Sequence, residues 1–314
     1  MQRKVLITGA NGFIGSHTSR LLESLGHSII PIDVVPRSTD LSLLGIKTPS
    51  HIMNVTDASA FRALCEKERP THIFHAAHPP RDESPSVINY CYHAMTNILE
   101  AARDLKIKRV VYSSSASIYG QLRKPAGSLV KEEDAVSIYP TYFYRAAKTV
   151  SEWTGDFYKE KHGVDFVALR YSSVYGPGLY RSIPLELKKG VLGQPSRPFL
   201  TRPNDDLIYI DDVVDAIGRA LFADKRLSRA YNIGLDKTYV SDDLKRAIQK
   251  ALPDLQFEIG EHPHVAEVAP HRLRSPLDIS LARQELDWKP KIYLEDGIAR
   301  LAAWLIEHKS RLQF

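Results

Sequence analysis

The segment from Tyr144 to Lys148 places a phenol and an ammonium group four residues apart. On a helix these two side chains lie on one face, so the ammonium group can hold the phenolic oxygen in an electropositive environment. Such an environment lowers the pKa of a tyrosine from about 10 toward neutrality. The pair therefore predicts a general base that takes a proton from a substrate alcohol as hydride leaves the carbon, and that returns the proton in the reverse direction.

Hydroxyl groups follow a predicted strand upstream of this pair. The apolar run from Val110 to Tyr112 leads directly into three serines, of which Ser115 is the last. Because the strand would end there, Ser115 is placed to hydrogen-bond the same substrate oxygen as Tyr144. Ser117, two residues further on, could do likewise.

A glycine-bearing turn lies near the start of the chain, where Val5 to Gly15 reads V-L-I-T-G-A-N-G-F-I-G. Glycine has no Cβ, so the chain can fold tightly at Gly9, approach a pyrophosphate at Gly12 and pack helix against strand at Gly15. The N-terminus of the following helix then faces the phosphates. With the buried strand that precedes it, this turn predicts a dinucleotide-binding site.

An acidic residue ends the second predicted strand, which runs from Ser28 to Ile32. Asp33 comes 24 residues after Gly9, close to the position from which a carboxylate hydrogen-bonds both ribose hydroxyls. A carboxylate there repels the 2′-phosphate of NADP, so Asp33 favours NAD. Arg37 could offer an anion partner instead, although a solvated loop charge is the favoured interpretation of that residue.

Short apolar runs alternate with helical patterns along the first half of the chain. This alternation predicts an α/β fold with a Rossmann-type, doubly wound parallel sheet and a site at the carboxyl ends of its strands. From about Ser172 the pattern loosens into Pro- and Gly-punctuated segments, which predict a smaller, irregular C-terminal lobe that binds the substrate. We expect residues 1–171 to form the dinucleotide-binding domain, with return segments from about 205–235, and residues 172–314 to form mainly the substrate lobe. The predicted strands lie near Val5, Ile29, Ile52, Ile73, Val110 and Phe166, with a return strand from Tyr231 to Gly234.

The composition is typical of a soluble enzyme, with 314 residues of which 43% are hydrophobic and 25% charged. No apolar run reaches the roughly 18 residues that span a bilayer. A strand is predicted within four residues of the first residue, so we expect no signal peptide. We therefore expect a cytoplasmic location and no membrane partner. The net charge of +5 is modest and the basic residues are scattered, which argues against nucleic acid as a partner.

Cysteine and histidine usage points to packing rather than to chemistry. Cys65 and Cys91 suit a reducing compartment, and we expect both to pack in the core. His72, His75 and His78 recur every third residue, but on a strand that step puts neighbours on opposite faces. We therefore expect no metal site, whereas His78 could border the substrate.

Four segments follow one another along the chain: T-G-A-N-G-F-I-G, S-S-S-A-S-I-Y-G (Ser113 to Gly120), Y-R-A-A-K (Tyr144 to Lys148) and L-R-Y-S-S-V-Y-G-P-G (Leu169 to Gly178). In this order they resemble the extended short-chain dehydrogenase/reductase family, in its NAD-dependent epimerase/dehydratase branch. Further matches at His75 to Ala77, Asn97 to Ala102, Tyr209 to Val213 and Leu286 to Pro290 extend the resemblance over nearly the whole chain.

The resemblance implies a catalytic trio of Ser115, Tyr144 as acid/base, and Lys148, which would also bind the nicotinamide ribose. Tyr139 and Tyr142 do not fit the role of the base, since neither has a lysine four residues later. Both could still line the site as aromatic walls. The cofactor NAD would be bound by Gly9, Asn11, Gly12, Phe13, Ile14, Gly15, Asp33, Asn54, Val55, Ala76, Ala77, Ser113, Tyr144, Lys148, Tyr171 and Val174. The candidate substrate-binding residues are His78, Ser117, Ser173 and Arg181.

The resemblance further implies a homodimer. Two long helices, about Val87 to Leu105 and Tyr142 to His162, would lie side by side and form a four-helix interface with a second copy. Their apolar residues could equally belong to the core.

Departures from the family pattern bear on the substrate. Ser173 stands where members that act on nucleotide-diphosphate sugars typically have an asparagine, and Asp205-Asp206 stands where they have Arg-Asp. A carboxylate in place of a cation disfavours a diphosphate by several kcal/mol if the charges are about 4 Å apart and poorly solvated. Four arginines on other loops could compensate, or could be surface charges: Arg181, Arg202, Arg272 and Arg274.

A last departure excludes dehydration. Sugar dehydratases of this family carry an acidic pair directly after the triad serine or threonine, whereas Ala116 and Ser117 follow Ser115 here. The leading hypothesis is an NAD-dependent oxidoreductase of a sugar, sugar acid or polyol without a nucleotide. The alternatives are a nucleotide-sugar epimerase with tightly bound NAD, and a non-catalytic NAD-binding protein, against which the intact trio argues.

Overall fold

The computed structural model describes residues 3–79, 84–120, 122, 124–125, 128–134, 136, 143–201, 206–235, 237–261 and 275–313. Within them the strands are β1 (Lys4–Thr8), β2 (Ser28–Asp33), β3 (His51–Ile52), β4 (His72–His75), β5 (Arg109–Ser115), β6 (Phe166–Tyr171), β7 (Ser173–Tyr175), β8 (Phe199–Thr201), β9 (Leu207–Tyr209), β10 (Ala230–Ile233) and β11 (Ile259–Glu261).

Seven of these strands form one parallel sheet in the order β10-β6-β5-β4-β1-β2-β3, which confirms the predicted Rossmann-type fold. The first strand is central, because Val5 pairs with Ile29 on one side and with His72 on the other. All the strand pairs run in the same direction, so their carboxyl ends meet at one edge of the sheet. Two smaller parallel pairs, β7 with β9 and β8 with β11, lie outside this sheet.

Ten α-helices lie within the described residues. The third of them shows a sequence-encoded start, since the Asp57 side chain accepts a hydrogen bond from the backbone N–H of Ala60 at 3.0 Å. The helices are α1 (Phe13–Ser24), α2 (Thr39–Ser42), α3 (Ala58–Glu68), α4 (Ser86–Asp104), α5 (Phe143–His162), α6 (Ser182–Val191), α7 (Ile210–Phe222), α8 (Ser241–Ala251), α9 (Ser280–Leu286) and α10 (Leu294–Glu307).

Helices cover both faces of the sheet. Alternate residues of β1 show this directly: Val5 and Ile7 pack into a cluster with Leu22 of α1, whereas Leu6 packs into a second cluster with Met95 of α4. A strand buried on both faces reads as a continuous apolar run, which is why the sequence pattern predicted it. No helix among the described residues is long and apolar enough to cross a membrane.

Two motifs that are distant in sequence meet in the fold. The Asp212 carboxylate, at the start of α7, accepts hydrogen bonds from the backbone N–H groups of Lys291 at 3.0 Å and Ile292 at 2.8 Å. The Trp288 indole N–H donates to the Asp212 carbonyl at 3.0 Å. These contacts attach the C-terminal segment to the helix that follows β9.

The predicted element boundaries hold to within one residue. The return strand runs from Ala230 to Ile233 instead of Tyr231 to Gly234, and the first of the two long helices runs from Ser86 to Asp104 instead of Val87 to Leu105. The second long helix is described from Phe143 onward, and Tyr142, its predicted first residue, lies outside the described residues.

Candidate functional site

The predicted Tyr-Lys pair lies on the first two turns of α5, beside the end of β5. Lys148 is buried, and its Nζ donates a hydrogen bond to the carbonyl oxygen of Ser113 at 2.6 Å. The same nitrogen lies 5.6 Å from the ring centroid of Tyr144 and 4.8 Å from that of Tyr112. The strand end therefore holds the ammonium group next to the phenol, as a general base of this kind requires.

Ser115 ends β5 and caps the short 3₁₀-helix that follows it, Ala116–Tyr119. Its Oγ accepts a hydrogen bond from the backbone N–H of Ser117 at 3.1 Å, so its own proton remains available for donation to a substrate oxygen. The Ser117 Oγ is buried and has no hydrogen-bond partner within the described part of the chain. The structure thus brings both predicted serines to the end of the strand that also anchors Lys148.

His78 lies against the candidate base, with 4.8 Å between its ring centroid and that of Tyr144. Its Nδ1 lies 2.7 Å from the carbonyl oxygen of Pro79. A carbonyl only accepts, so Nδ1 carries a proton in this contact. His78 therefore lies beside the ring of the candidate base, and its contact with the substrate stays a prediction.

The link between β1 and β4 was not anticipated from the sequence. The Thr8 hydroxyl accepts from the backbone N–H of Ala77 at 3.2 Å and lies 2.6 Å from Nδ1 of His75. Burial lowers the pKa of His75 to about 3, with smaller contributions from the charges of Lys148 and His78. His75 is therefore neutral near pH 7, and it acts as a fixed hydrogen-bond partner that holds the strand ends together.

The glycine turn has the geometry of a phosphate-binding loop. Gly9 has a φ of +67°, and a Cβ there would lie 2.6 Å from the backbone nitrogen of Ala77. Gly12 precedes α1, and no side chain caps the helix. The first N–H groups of α1 therefore have no side-chain partner at the helix N-terminus, where they favour an anion.

Asp33 lies at the carboxyl end of β2, with one carboxylate oxygen 2.9 Å from the backbone N–H of Asn11 and the other 2.7 Å from that of Val34. Arg37 is half-buried rather than solvated, and its Nε donates to the Ser16 hydroxyl at 3.3 Å. Its Nη2 is buried without a hydrogen-bond partner among the described residues. Burial lowers the pKa of Arg37, while the charges of Glu23 and Asp33 act in the opposite direction.

Apolar side chains are exposed at the strand ends where the adenine is expected. Val34, Val35 and Ile52 are exposed at the ends of β2 and β3, which suits the face of a planar base. Asn54 follows them, with its side-chain oxygen on the N–H of Thr56 at 3.0 Å. Val55, in contrast, packs its side chain in the core.

The remaining predicted residues divide between the interior and the surface. Asp206 is buried, and its Oδ1 accepts from the backbone N–H of Leu235 at 2.8 Å, so this carboxylate belongs to the protein interior. Ser173 and Arg181 are exposed, Arg181 directly before α6, whereas Tyr171 is buried. Six residues of the sequence argument lie outside the described residues: Tyr139, Tyr142, Arg202, Asp205, Arg272 and Arg274.

We expect the substitution Asp33→Ala to relax the discrimination between NAD and NADP. The change removes the acceptor for the ribose and the charge that repels a 2′-phosphate, and it leaves Arg37 as the nearby cation. A hydrogen bond to a charged group is worth about 1.5–3 kcal/mol. The dissociation constant for NADP divided by that for NAD should therefore fall by roughly ten- to a hundredfold. Isothermal titration calorimetry with each dinucleotide measures this ratio. An unchanged ratio would contradict the assignment, and Asp33→Ala/Arg37→Ala should lose any gain in NADP binding.

Comparisons with known proteins show the family of this chain. The family model described as "NAD dependent epimerase/dehydratase family" matches residues 5–234. The chain is 27% identical to UDP-glucuronate 4-epimerase 5 of Arabidopsis thaliana, over 96% of this chain and 74% of the relative. It is 25% identical to the UDP-glucose 4-epimerase of Thermus thermophilus in complex with NAD, with a TM-score of 0.78 over 96% of this chain and 98% of that one. A TM-score of 0.81 relates it to the Thermotoga maritima UDP-glucose 4-epimerase with UDP-glucose, at 21% identity over 98% and 99% of the two chains.

A doubly wound parallel sheet with a glycine turn, an acid at the end of β2 and a Tyr-Lys pair beside β5 defines a dinucleotide-dependent enzyme. The chain belongs to the NAD-dependent epimerase/dehydratase family. It is an NAD-dependent enzyme, as predicted.

The residues present fit NAD. A Cβ on Gly12 would meet a single described atom within 4 Å, the Gly9 carbonyl oxygen at 3.3 Å, so a pyrophosphate has room to approach. Asp33 offers acceptors to the ribose, and the Ser113 carbonyl places the Lys148 ammonium at the opposite end of the site.

Proposed function

We propose that this protein is an oxidoreductase that acts at a hydroxyl carbon of a sugar, sugar acid or similar polar alcohol, with Tyr144 as the acid/base. The observation that carries the proposal is the 2.6 Å contact between Lys148 Nζ and the Ser113 carbonyl, which fixes a buried cation beside the phenol. The glycine turn lies at the same edge of the sheet. The proposed catalytic residues are Ser115, Tyr144 and Lys148.

NAD, when bound, supplies a hydride acceptor and donor at this edge. Tyr144 must be ionised before it can act as the base, and the Lys148 ammonium stabilises this phenolate. The phenolate oxygen then takes the proton of the substrate hydroxyl. Ser115 donates its hydroxyl proton to the same substrate oxygen, since Oγ is the acceptor in its contact with the Ser117 N–H and the proton is not used there. In the reverse direction Tyr144 returns the proton.

The substrate lies between this edge and the C-terminal half, residues 172–314, which acts mainly as the substrate lobe. A buried ion pair supports a fixed placement of α6 in that half: Lys188 Nζ lies 2.6 Å from Oδ2 of Asp40, which follows β2. Arg181, directly before α6, would then face the substrate along with His78, Ser117 and Ser173.

Epimerisation of a nucleotide sugar is the second candidate function. It is favoured by the similarity of nearly the whole chain to UDP-sugar epimerases. An epimerase oxidises its substrate transiently and re-reduces it from the other face, so it shows no net change in redox state.

The test is a measurement of NADH formation by absorbance across sugars, aldonates and nucleotide sugars, on protein whose bound cofactor is first identified by intact-complex mass spectrometry. We expect the purified protein to contain no bound cofactor. It should form NADH from added NAD while it oxidises a sugar or hydroxy acid. Retained NAD with conversion of UDP-glucose and no net NADH would establish the second candidate. Absence of turnover with all three substrate classes would contradict both.

The enzyme forms a homodimer through α4 and α5. Trp153 is 62% exposed and Phe157 54% exposed, and their spacing puts both on one face of α5. Apolar side chains of this size lose unfavourable contact with water when a second copy covers them.

We therefore expect Trp153→Glu/Phe157→Glu to convert a dimer into a monomer, because the new charges would be buried without partners. Size-exclusion chromatography with light scattering measures the mass. The matched control is Ile306→Glu, which changes an apolar side chain that is 55% exposed on α10 and should leave the dimer intact. A monomeric wild-type protein, or a dimeric double variant, would contradict the proposal.

A cytoplasmic location is part of the same proposal. Cys65 and Cys91 are both free and buried, and burial raises their pKa values to about 12 and about 11. Two protonated, unpaired thiols suit a reducing compartment.

A further inference from the structure

A buried ion pair lies directly behind the proposed catalytic residues. Nη2 of Arg170, on β6, lies 2.6 Å from Oε2 of Glu152, on α5, and its Nε lies 3.2 Å from both carboxylate oxygens. The Ser114 hydroxyl donates to the same carboxylate. All three side chains are buried. We call Glu152 and Arg170 the support pair.

The support pair touches the two elements that carry the catalytic residues. Glu152 follows Lys148 by one helical turn, so both side chains point from α5 toward β5. They reach adjacent residues of that strand: Lys148 binds the carbonyl of Ser113, and Glu152 binds the hydroxyl of Ser114. Ser115 is the next residue. The position of α5 along β5 is thus fixed at two successive points.

A hydrogen-bond chain continues from the support pair to the return strand. Nη1 of Arg170 donates to the Tyr119 hydroxyl at 2.8 Å, and that hydroxyl donates to the Asn232 side-chain oxygen at 2.7 Å. Burial raises the pKa of Tyr119 to about 12, so the hydroxyl keeps the proton that it donates. Asn232 in turn donates to the carbonyl of Val130 at 2.8 Å. Every polar group along this path therefore has a partner with defined direction.

We propose that Glu152 and Arg170 are positioning residues, which hold the Lys148 ammonium and Ser115 in register with Tyr144. The inference rests on the proposed function of these three residues. A buried ion pair contributes little stability compared with well-packed apolar side chains, but its forked hydrogen bonds constrain direction and distance. A displacement of about 1 Å at a catalytic group can lower a rate by roughly a hundredfold. The pair therefore acts on the geometry of the reaction more than on the stability of the fold.

The experiment compares Glu152→Leu/Arg170→Met with a matched control, Arg109→Met/Asp165→Leu. In the control pair Arg109 is buried and Asp165 is partly buried, with Arg109 Nη2 at 2.7 Å from Asp165 Oδ2. Arg109 begins the same strand at its other end. Three quantities are measured: the melting temperature, kcat and KM with the substrate found in the NADH screen, and the phenolate absorbance from ~pH 6 to ~pH 9 relative to Tyr144→Phe.

For the support-pair variant we expect kcat to fall roughly ten- to a hundredfold and KM to change less than about twofold. The phenolate midpoint, which is the pH at which half of the Tyr144 phenolate has formed, should rise by about one pH unit, since the ammonium group is displaced from the phenol. The control variant should change the melting temperature alone. If the support-pair variant does not fold, Ser114→Ala, which cuts the link to β5, should shift kcat and the midpoint in the same directions by a smaller amount.

The outcomes separate this inference from the function on which it rests. Wild-type kcat and phenolate midpoint in the support-pair variant, or in Ser114→Ala when the pair variant does not fold, would overturn the positioning role. Full turnover in Tyr144→Phe would overturn the catalytic assignment instead. Equal losses of kcat in the support-pair and control variants would also overturn the inference, because they would reflect general destabilisation.

Discussion

The substitution Tyr144→Phe is expected to lower kcat by ~10²- to 10⁴-fold while the dissociation constant for NAD changes by less than about threefold, since general acid–base catalysis contributes rate factors of this size. The variant keeps the aromatic ring that packs against His78 and removes only the hydroxyl that moves the proton. The reaction would then have to pass its proton directly to water. Steady-state kinetics and a dinucleotide titration measure the two quantities separately.

The control for this prediction is Tyr180→Phe. The Tyr180 hydroxyl donates to the Ser38 hydroxyl at 3.0 Å, on an exposed part of the surface, and should contribute nothing to kcat. A residual kcat near the wild-type value in Tyr144→Phe would contradict the acid/base role. A loss of NAD binding in the same variant would assign Tyr144 to cofactor binding rather than to proton transfer.

The sequence was sufficient to predict the seven strands of the sheet and the elements that carry the site. The buried strands β1 and β6 contain uninterrupted apolar runs, Val5 to Ile7 and Phe166 to Leu169, because helices cover both of their faces. The glycine turn and the Tyr-Lys pair are local patterns. The glycines recur within a single turn between a strand and a helix, and the tyrosine and lysine are one helical turn apart. Their geometry therefore follows from short-range rules that a single sequence makes visible.

Contacts between distant segments could not be predicted in this way. Thr8 meets His75 across 67 positions, and Ser114 meets Glu152 across 38, so no local pattern links the partners. From the sequence, His75 stands out as one of three regularly spaced histidines that could bind a metal, and no metal site is predicted there. Its hydrogen bond to Thr8 depends on the order of β1 and β4 in the sheet.

The environment of Arg37 shows a further limit of sequence reasoning. A charged residue in a loop after a strand is usually solvated, and that was the favoured interpretation. In the fold the guanidinium packs beside Ser16 on the first turn of α1, which brings a cation close to the ribose end of the dinucleotide site. Side-chain packing of this kind depends on how the loop returns over the helix.

The glycine turn carries the second large effect, which the substitution Gly15→Ala should reveal. A Cβ at Gly15 would lie 2.0 Å from the Gly9 carbonyl oxygen and 2.8 Å from Cα of Ala10. Both atoms belong to the backbone, so relief of the clash must move the turn that faces the pyrophosphate. Overpacking of this kind costs about 1–3 kcal/mol of unfolding free energy. We expect a weakening of NAD binding by at least about tenfold in addition, because the N–H groups of the turn no longer converge on one anion.

The matched control is Gly218→Ala, which adds the same methyl group to a glycine inside α7. Its Cβ would lie 3.7 Å from Cδ2 of Leu21, an ordinary van der Waals contact. Alanine is favoured over glycine within a helix by ~0.5–1 kcal/mol, so this variant should unfold at a slightly higher denaturant concentration and bind NAD normally. Urea unfolding gives the free energy of unfolding of both variants, and titration gives their NAD dissociation constants. The comparison separates the effect of an added methyl group from the effect of moving the turn. Normal NAD affinity in Gly15→Ala would mean that the turn does not have to keep its close packing to hold the cofactor.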